Sequence, residues 1–218
     1  MRILKIVAVT LLSFFGITES TNISAPSASL STAEQRISPE MEDLKSKVKF
    51  ISGLIAMHRP NIKDCGSIAK DIVEVSFKEN VDPFYLAAVV SVESRFSENS
   101  LSSANAHGLM QLLPSTEHEI NNKNGEATKF SDIQENKSNL TLGIKYLKRL
   151  ERRYKGDKTL ALAAYNWGPK KVDRVNKDFE KLPSGVKNYT RMVLERNENW
   201  ANHFQKAESS ALAFAINS

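Results

Sequence analysis

The sequence predicts an all-α fold: a helical domain over about residues 41–207, with no substantial β-sheet. Three observations carry this. Apolar residues from position 41 onward recur three and four apart, the spacing of one helix face. No stretch alternates convincingly with the period of two that a half-buried strand requires. Aspartate, proline and glycine fall where helices would begin and end.

The elements follow in order. Leu44, Val48, Ile51 and Ile55 step by four, three and four, and that helix should stop near Arg59, because Pro60 disfavours the α conformation in the residue before it. Cys65, Ile68, Ile72 and Val75 form a second stripe. Asp82-Pro83 reads as an N-cap followed by proline at the first helical position, opening a helix through Leu86, Val89 and Val90 to about Ser94. A longer loop region with a short helix after Pro114 fills 97–133. Leu140, Ile144, Leu147 and Tyr154 mark the next helix. Asp157 caps another, Lys158 to Trp167, which Gly168-Pro169 terminates. Val186, Tyr189, Val193, Trp200 and Phe204 mark a final long one, for about seven in all.

Composition narrows the function classes. With 218 residues, 41% hydrophobic and 25% charged, the chain is globular, and at roughly 150 residues per domain it holds one core. A single cysteine, Cys65, rules out an intrachain disulfide framework and a Cys-rich zinc module. The histidines, at 58, 107, 118 and 203, have no ligand spacing, so neither a metal nor a cofactor is expected. The net charge of +5 suits an anionic partner, but no block of like charge and no basic stripe interleaved with aromatics is present. Nucleic acid is not an expected partner.

Residues 1–20 differ from the rest. Arg2 and Lys5 precede the apolar run Ile6 to Ile17, 12 residues that are too short to span a bilayer but suit the core of a secretory signal peptide. Thr18 and Ser20 supply small residues for cleavage before Thr21. The expectation is an exported chain that meets a membrane only transiently; an uncleaved anchor is the alternative. No cysteine follows for lipid attachment. Residues 21–40, rich in serine with Pro26 and Pro39, read as a linker, and 208–218 as a C-terminal tail. Asn22, Asn136, Asn139 and Asn188 begin Asn-x-Ser/Thr triplets, taken here as chance matches.

The chemistry centres on Glu93. It lies three, four and seven residues after Val90, Val89 and Leu86, which puts its carboxylate on the apolar stripe. It also falls near the helix C-terminus, where the macrodipole disfavours negative charge. Burial and dipole both raise its pKa, as a general acid at neutral pH requires. A structural acid paired with a base is the competing reading, although Arg95, two positions on, points away on a helix.

Four segments then stand in order. Glu93-Ser94-Arg95-Phe96 is followed by Ser102 through Pro114, which includes Gly108-Leu109-Met110-Gln111, with Glu93 and Gln111 eighteen residues apart. Ala163-Ala164-Tyr165-Asn166-Trp167-Gly168-Pro169 comes next, then Asn188-Tyr189 before Val193-Leu194. This series resembles the soluble lytic transglycosylase domain of the family 23 glycoside hydrolases, which has a goose-type lysozyme fold with a substrate cleft. The resemblance spans about 80–195. It implies that Glu93 is the single catalytic acid/base and that Ser94 positions it or contacts sugar. Ser102 and the Gly108–Gln111 turn would shape the cleft, with Met110 and Gln111 touching the glycan. Tyr165 and Asn166 would line the opposite wall, and Tyr189 would reach back to orient Glu93.

The residue chemistry is compatible with those roles. Gly108 permits close backbone approach to a sugar ring, and the amides of Gln111 and Asn166 both donate and accept. Tyr165, Trp167 and Tyr189 can stack on sugar faces or pack in the core. There are departures. Asn105 replaces the usual glycine, but asparagine tolerates positive φ. Ser97-Glu98 replaces a common Asn-Pro, and Trp167 stands where a small residue is usual.

The implied reaction is cleavage of the bond between N-acetylmuramic acid and N-acetylglucosamine in peptidoglycan without water, leaving 1,6-anhydro ends. A hydrolytic lysozyme or chitinase on the same fold stays open, as does a non-catalytic wall-binding assembly protein. A wall substrate and an exported chain imply the periplasm or the exterior of a bacterium. The small size fits local cutting for a secretion, conjugation or flagellar apparatus.

Overall fold

Caps and breakers set the helix boundaries. The computed structural model describes residues 38–62, 64–116 and 135–216, and the chain falls into two units, Met1–Ser46 and Lys47–Ser218. In the first, Ser38 Oγ accepts the Met41 N–H at 3.2 Å and opens helix α1 (Pro39–His58). The expected signal peptide, most of the linker and most of the short helix after Pro114 lie outside the described residues.

The second unit continues α1 and adds α2 (Cys65–Glu79), α3 (Pro83–Glu93), α4 (Asn136–Arg153), α5 (Lys158–Trp167), α6 (Pro169–Arg174), a 3₁₀ turn (Phe179–Lys181) and α7 (Ser184–Ile216). Asp82 and Asp157 cap α3 and α5 as expected, accepting from Phe84 N and Leu160 N, each at 3.0 Å. Asp64 does the same for α2, taking Ser67 N at 2.8 Å. Each satisfies an amide that has no partner inside its helix. Gly168, with φ +97°, ends α5 as the sequence predicts, but Pro169 then opens α6, because proline suits a first turn as well as it stops one.

Burial goes beyond the single stripe read on α3. Every residue from Phe84 to Ser91 is buried, so α3 is a central helix, apolar all round. It packs against α7 and α2, while α4 bridges α2 and α5. Phe50, Phe84 and Phe204 form one ring cluster, with centroids 5.2–5.7 Å apart, that ties α1, α3 and α7 together. Phe50 meets the other two rings edge-on, which suits the aromatic quadrupole.

Among the described residues there is no strand. Two isolated antiparallel bridges, Leu101 with His107 and His107 with Leu112, fold the loop after α3 onto itself. At the other end of the chain α7 continues as helix to Ile216, through residues read as a tail, and its side chains from Gln205 to Ala215 are exposed.

Candidate active site

Glu93 is the last residue of α3, and Ser94 is its C-cap, with the Ser94 N–H on Val90 O at 3.0 Å. The chain then reverses through two left-handed residues, Arg95 (φ 52°) and Phe96 (φ 60°). Such a conformation costs about 1–2 kcal/mol for each non-glycine residue. Burial of Phe96, which is fully enclosed against the His58 ring at 6.0 Å, offsets it. Glu93 is thus held at the edge of the core, half-buried. Its surroundings push its carboxyl pKa up to about 7; burial is the main cause, opposed by a hydrogen bond from Tyr189.

That hydrogen bond comes from α7. Tyr189 donates its phenol to Glu93 Oε1 at 2.6 Å. From α5, Tyr165 donates to Met110 O at 2.9 Å, and its ring lies 5.7 Å from that of Tyr146. Both phenols titrate well above the usual range, first through burial and then through the nearby Glu93 charge. They therefore act as donors at any physiological pH.

Tyr165 thus joins α5 to the loop 100–112. His107 and Leu112 exchange both backbone hydrogen bonds at 2.9 Å, Gly108 N donates to Ser100 O at 2.9 Å, and Ser102 Oγ accepts Ala106 N at 3.0 Å. Gly108 has φ +74°, and a Cβ there would lie 2.4 Å from Asn139 Nδ2. Only glycine fits. Asn105, at φ 62°, adopts the positive φ that its type tolerates.

Several expected site residues serve the scaffold. Met110 is fully buried, its side chain packed over Gly143, so the expected glycan contact by its side chain is not available. Its backbone is committed too, the N–H to Asn139 Oδ1 at 2.8 Å and the carbonyl to Tyr165. Gln111 sits at φ 48° and donates its amide to Ser100 O and Gly108 O at 3.1 and 3.0 Å, leaving only its carbonyl to accept. Ser94 Oγ donates to Val90 O at 3.2 Å. Asn166 is exposed beside Tyr165, while Trp167 is half-buried under the Lys171 ammonium, 5.7 Å from its ring.

The sequence reading missed Asn139. This side chain is buried, accepts from Met110 N and donates to His107 O at 3.0 Å, clamping the Gly108–Gln111 turn to α4. A signal was present: Asn139 shares a helix face with Leu142, Gly143 and Tyr146, an amide on an apolar stripe. Tyr146, on the same face, was missed for the same reason.

Comparison with known proteins places the family and the fold. The sequence profile of the transglycosylase SLT domain matches residues 72–185. A Haemophilus influenzae protein assigned to the soluble lytic murein transglycosylases is 35% identical over 100 residues, 44% of this chain and 16% of that protein. Membrane-bound lytic murein transglycosylase D of Escherichia coli is 30% identical over 110 residues, 46% of this chain and 24% of its own length. The chain thus spans a quarter or less of the curated relatives it matches. Among solved structures, lytic transglycosylase Slt of Pseudomonas aeruginosa, an inactive mutant, superposes with a TM-score of 0.57 at 21% identity, over 75% of this chain and 30% of that one. The 70-kDa soluble lytic transglycosylase of Escherichia coli gives 0.57 at 15% identity, over 74% and 30%. At these identities the superpositions establish the all-α fold. With the family profile spanning more than half of the sequence and enclosing the Glu93 turn, the Gly108–Gln111 loop and Tyr165, the chain belongs to the transglycosylase SLT domain family.

Proposed function

We propose that this protein is a peptidoglycan lytic transglycosylase that cleaves the β-1,4 bond between N-acetylmuramic acid and N-acetylglucosamine without water. The observation that carries this reading is Glu93, half-buried, titrating near 7 and held at one oxygen by Tyr189. A carboxyl with that pKa is populated in both protonation states at neutral pH, so it can give a proton and take one back. Most glycosidases divide the work between two carboxylates. Among the described residues, no charged neighbour contributes to the shift at Glu93.

In the proposed sequence Glu93 protonates the glycosidic oxygen, the bond to muramic C1 breaks, and the N-acetylglucosamine portion leaves with that proton. The muramic acetamide steadies the positive charge at C1. Glu93, now a carboxylate, takes the proton of the muramic 6-hydroxyl as its oxygen closes onto C1. The products are a 1,6-anhydro end and the original protonated acid. Tyr189 holds the reacting carboxyl in place throughout. Gln111 offers its free carbonyl and Asn166 its exposed amide to sugar hydroxyls and acetamides. Ser94 and Ser102 shape the floor and the loop. Export by residues 1–20 to the periplasm or beyond, and local cutting for a secretion, conjugation or flagellar apparatus, belong to the same reading.

The test is a digestion of intact peptidoglycan followed by mass spectrometry. Fragments about 18 mass units lighter than hydrolysed muropeptides, and resistant to borohydride, are expected. Glu93→Gln should retain the fold and release nothing. Reducible, hydrated ends would make the protein a lysozyme; binding without release would make it a wall-binding protein.

A further inference from the structure

Two side chains of α7 reach the last turn of α3. Tyr189 donates to Glu93 Oε1 at 2.6 Å, and Arg196 Nη1 donates to Ser91 Oγ at 2.8 Å. The donors are seven residues apart, so they share a face of α7 and stand about 10 Å apart along its axis. Their acceptors are two residues apart, about 3 Å along α3. The two bonds therefore diverge on one helix and converge on the other, a triangle that resists sliding as well as rolling. Either bond alone fixes one point and leaves the helix to pivot about it. The rest of this face of α7 is apolar, with Val186, Val193 and Trp200 all buried. Apolar burial is non-directional and does not by itself aim a phenol at a carboxyl oxygen.

Ser91 is an oriented acceptor. It is buried on a helix whose other buried residues are apolar or aromatic, and its one hydroxyl proton goes to Ala88 O at 2.7 Å. Only its lone pairs remain for Arg196. Arg196 in turn is half-buried in a place that disfavours charge. Its pKa is held below the usual arginine range, first by burial and then by repulsion from Arg95, and among the described residues no acid contributes to that shift. A half-buried guanidinium without a carboxylate is less stabilising there than an apolar side chain of its size. What it supplies instead is direction.

We infer that Arg196 is a positioning residue: through Ser91 it fixes α7 on the last turn of α3 and so holds the Tyr189 phenol on Glu93. Its effect on rate rests on the activity proposed above, whereas its effect on the Tyr189 bond is readable without substrate.

The test therefore reads placement and rate separately. Glu93 is titrated by carbon NMR in the full chain with labelled glutamate, its signal identified by its loss in Glu93→Gln. The Tyr189 bond lowers the Glu93 pKa, so loosening it should move the midpoint up from about 7. Ser91→Ala removes the acceptor but keeps the cation, so a rise in this variant reports the loosened bond and not a lost charge. Arg196→Met, which retains most of the apolar stem, should raise the midpoint too. In the Tyr189→Phe background Ser91→Ala should move it no further, since the bond it serves is already gone. On soluble peptidoglycan fragments Ser91→Ala should lower kcat about 3–10-fold and leave KM unchanged, because it touches none of the groups offered to the sugar. A loss of fold stability alone would reduce the active fraction and leave the midpoint at its parental value. An unchanged midpoint in Ser91→Ala, or an equal rise with and without the Tyr189 phenol, would overturn the role of Arg196. A wild-type protein that leaves the wall uncut overturns the proposed activity, and the titration then decides the placement by itself.

Discussion

Glu93 can donate and then accept a proton because two opposed influences leave it near neutrality: burial raises its pKa and the Tyr189 phenol lowers it, with about 7 as the outcome. The free protein must hold the proton before it can give it away. kcat/KM for wall cleavage should therefore fall as pH rises through about 7. Tyr189→Phe removes a donor that favours the charged form, so the alkaline limb should move to higher pH. The rate should drop as well, by about 10–100-fold, because the carboxyl loses its fixed orientation. A profile that keeps its midpoint in this variant would contradict the role given to Tyr189. Glu93 was legible in the sequence from its offsets to Leu86, Val89 and Val90. Its partner was legible only through the family resemblance, since nothing local connects residues 96 positions apart.

At the scale of elements, the site depends on joining a loop to a helix. Asn139 on α4 fastens the Gly108–Gln111 turn through both ends of its amide, and Tyr165 on α5 takes the remaining Met110 carbonyl. Asn139→Ala leaves Met110 N and His107 O without these partners in a buried place. It should cost about 2–3 kcal/mol in denaturant unfolding and reduce cleavage more than it reduces helix content. A variant as stable and active as the parent would show that the turn stands without its clamp. The caps at Asp82 and Asp157 were readable because a cap involves residues two and three apart. The Asn139 clamp joins residues 29 and 32 apart, which no local spacing encodes. Met110 illustrates the converse. A family motif singled it out for the ligand, but its side chain is fully buried and packs over Gly143.

For the whole molecule, the same acid is a liability to stability. The folded chain keeps the Glu93 proton until about pH 7, whereas an unfolded glutamate releases it near 4.5. Between those values the folded state binds more protons, so raising the pH favours unfolding; below and above the window the effect is flat. The full shift corresponds to about 3 kcal/mol, and partial solvent access reduces this to about 2. Glu93→Gln should thus gain about 2 kcal/mol on the parent between pH 4.5 and 7 and hold that lead above it. Urea melts at several pH values would check it, and two parallel curves would show that Glu93 is not desolvated. An inactive yet more stable variant is the expected signature of an acid kept for chemistry.

What the sequence determined by itself is short in range: the periodic helices, the caps at Asp82 and Asp157, the stop at Gly168, and an acid at the end of an apolar helix. These are written within a turn or two of chain, where spacing and side-chain chemistry decide the outcome. The tertiary structure alone decided that α3 is buried on every side, that Asn139 clamps the loop, and that Met110 is enclosed. Burial and charge are sums over every element that surrounds a group. A sequence names the members of such a sum, and only the packed chain says which of them meet.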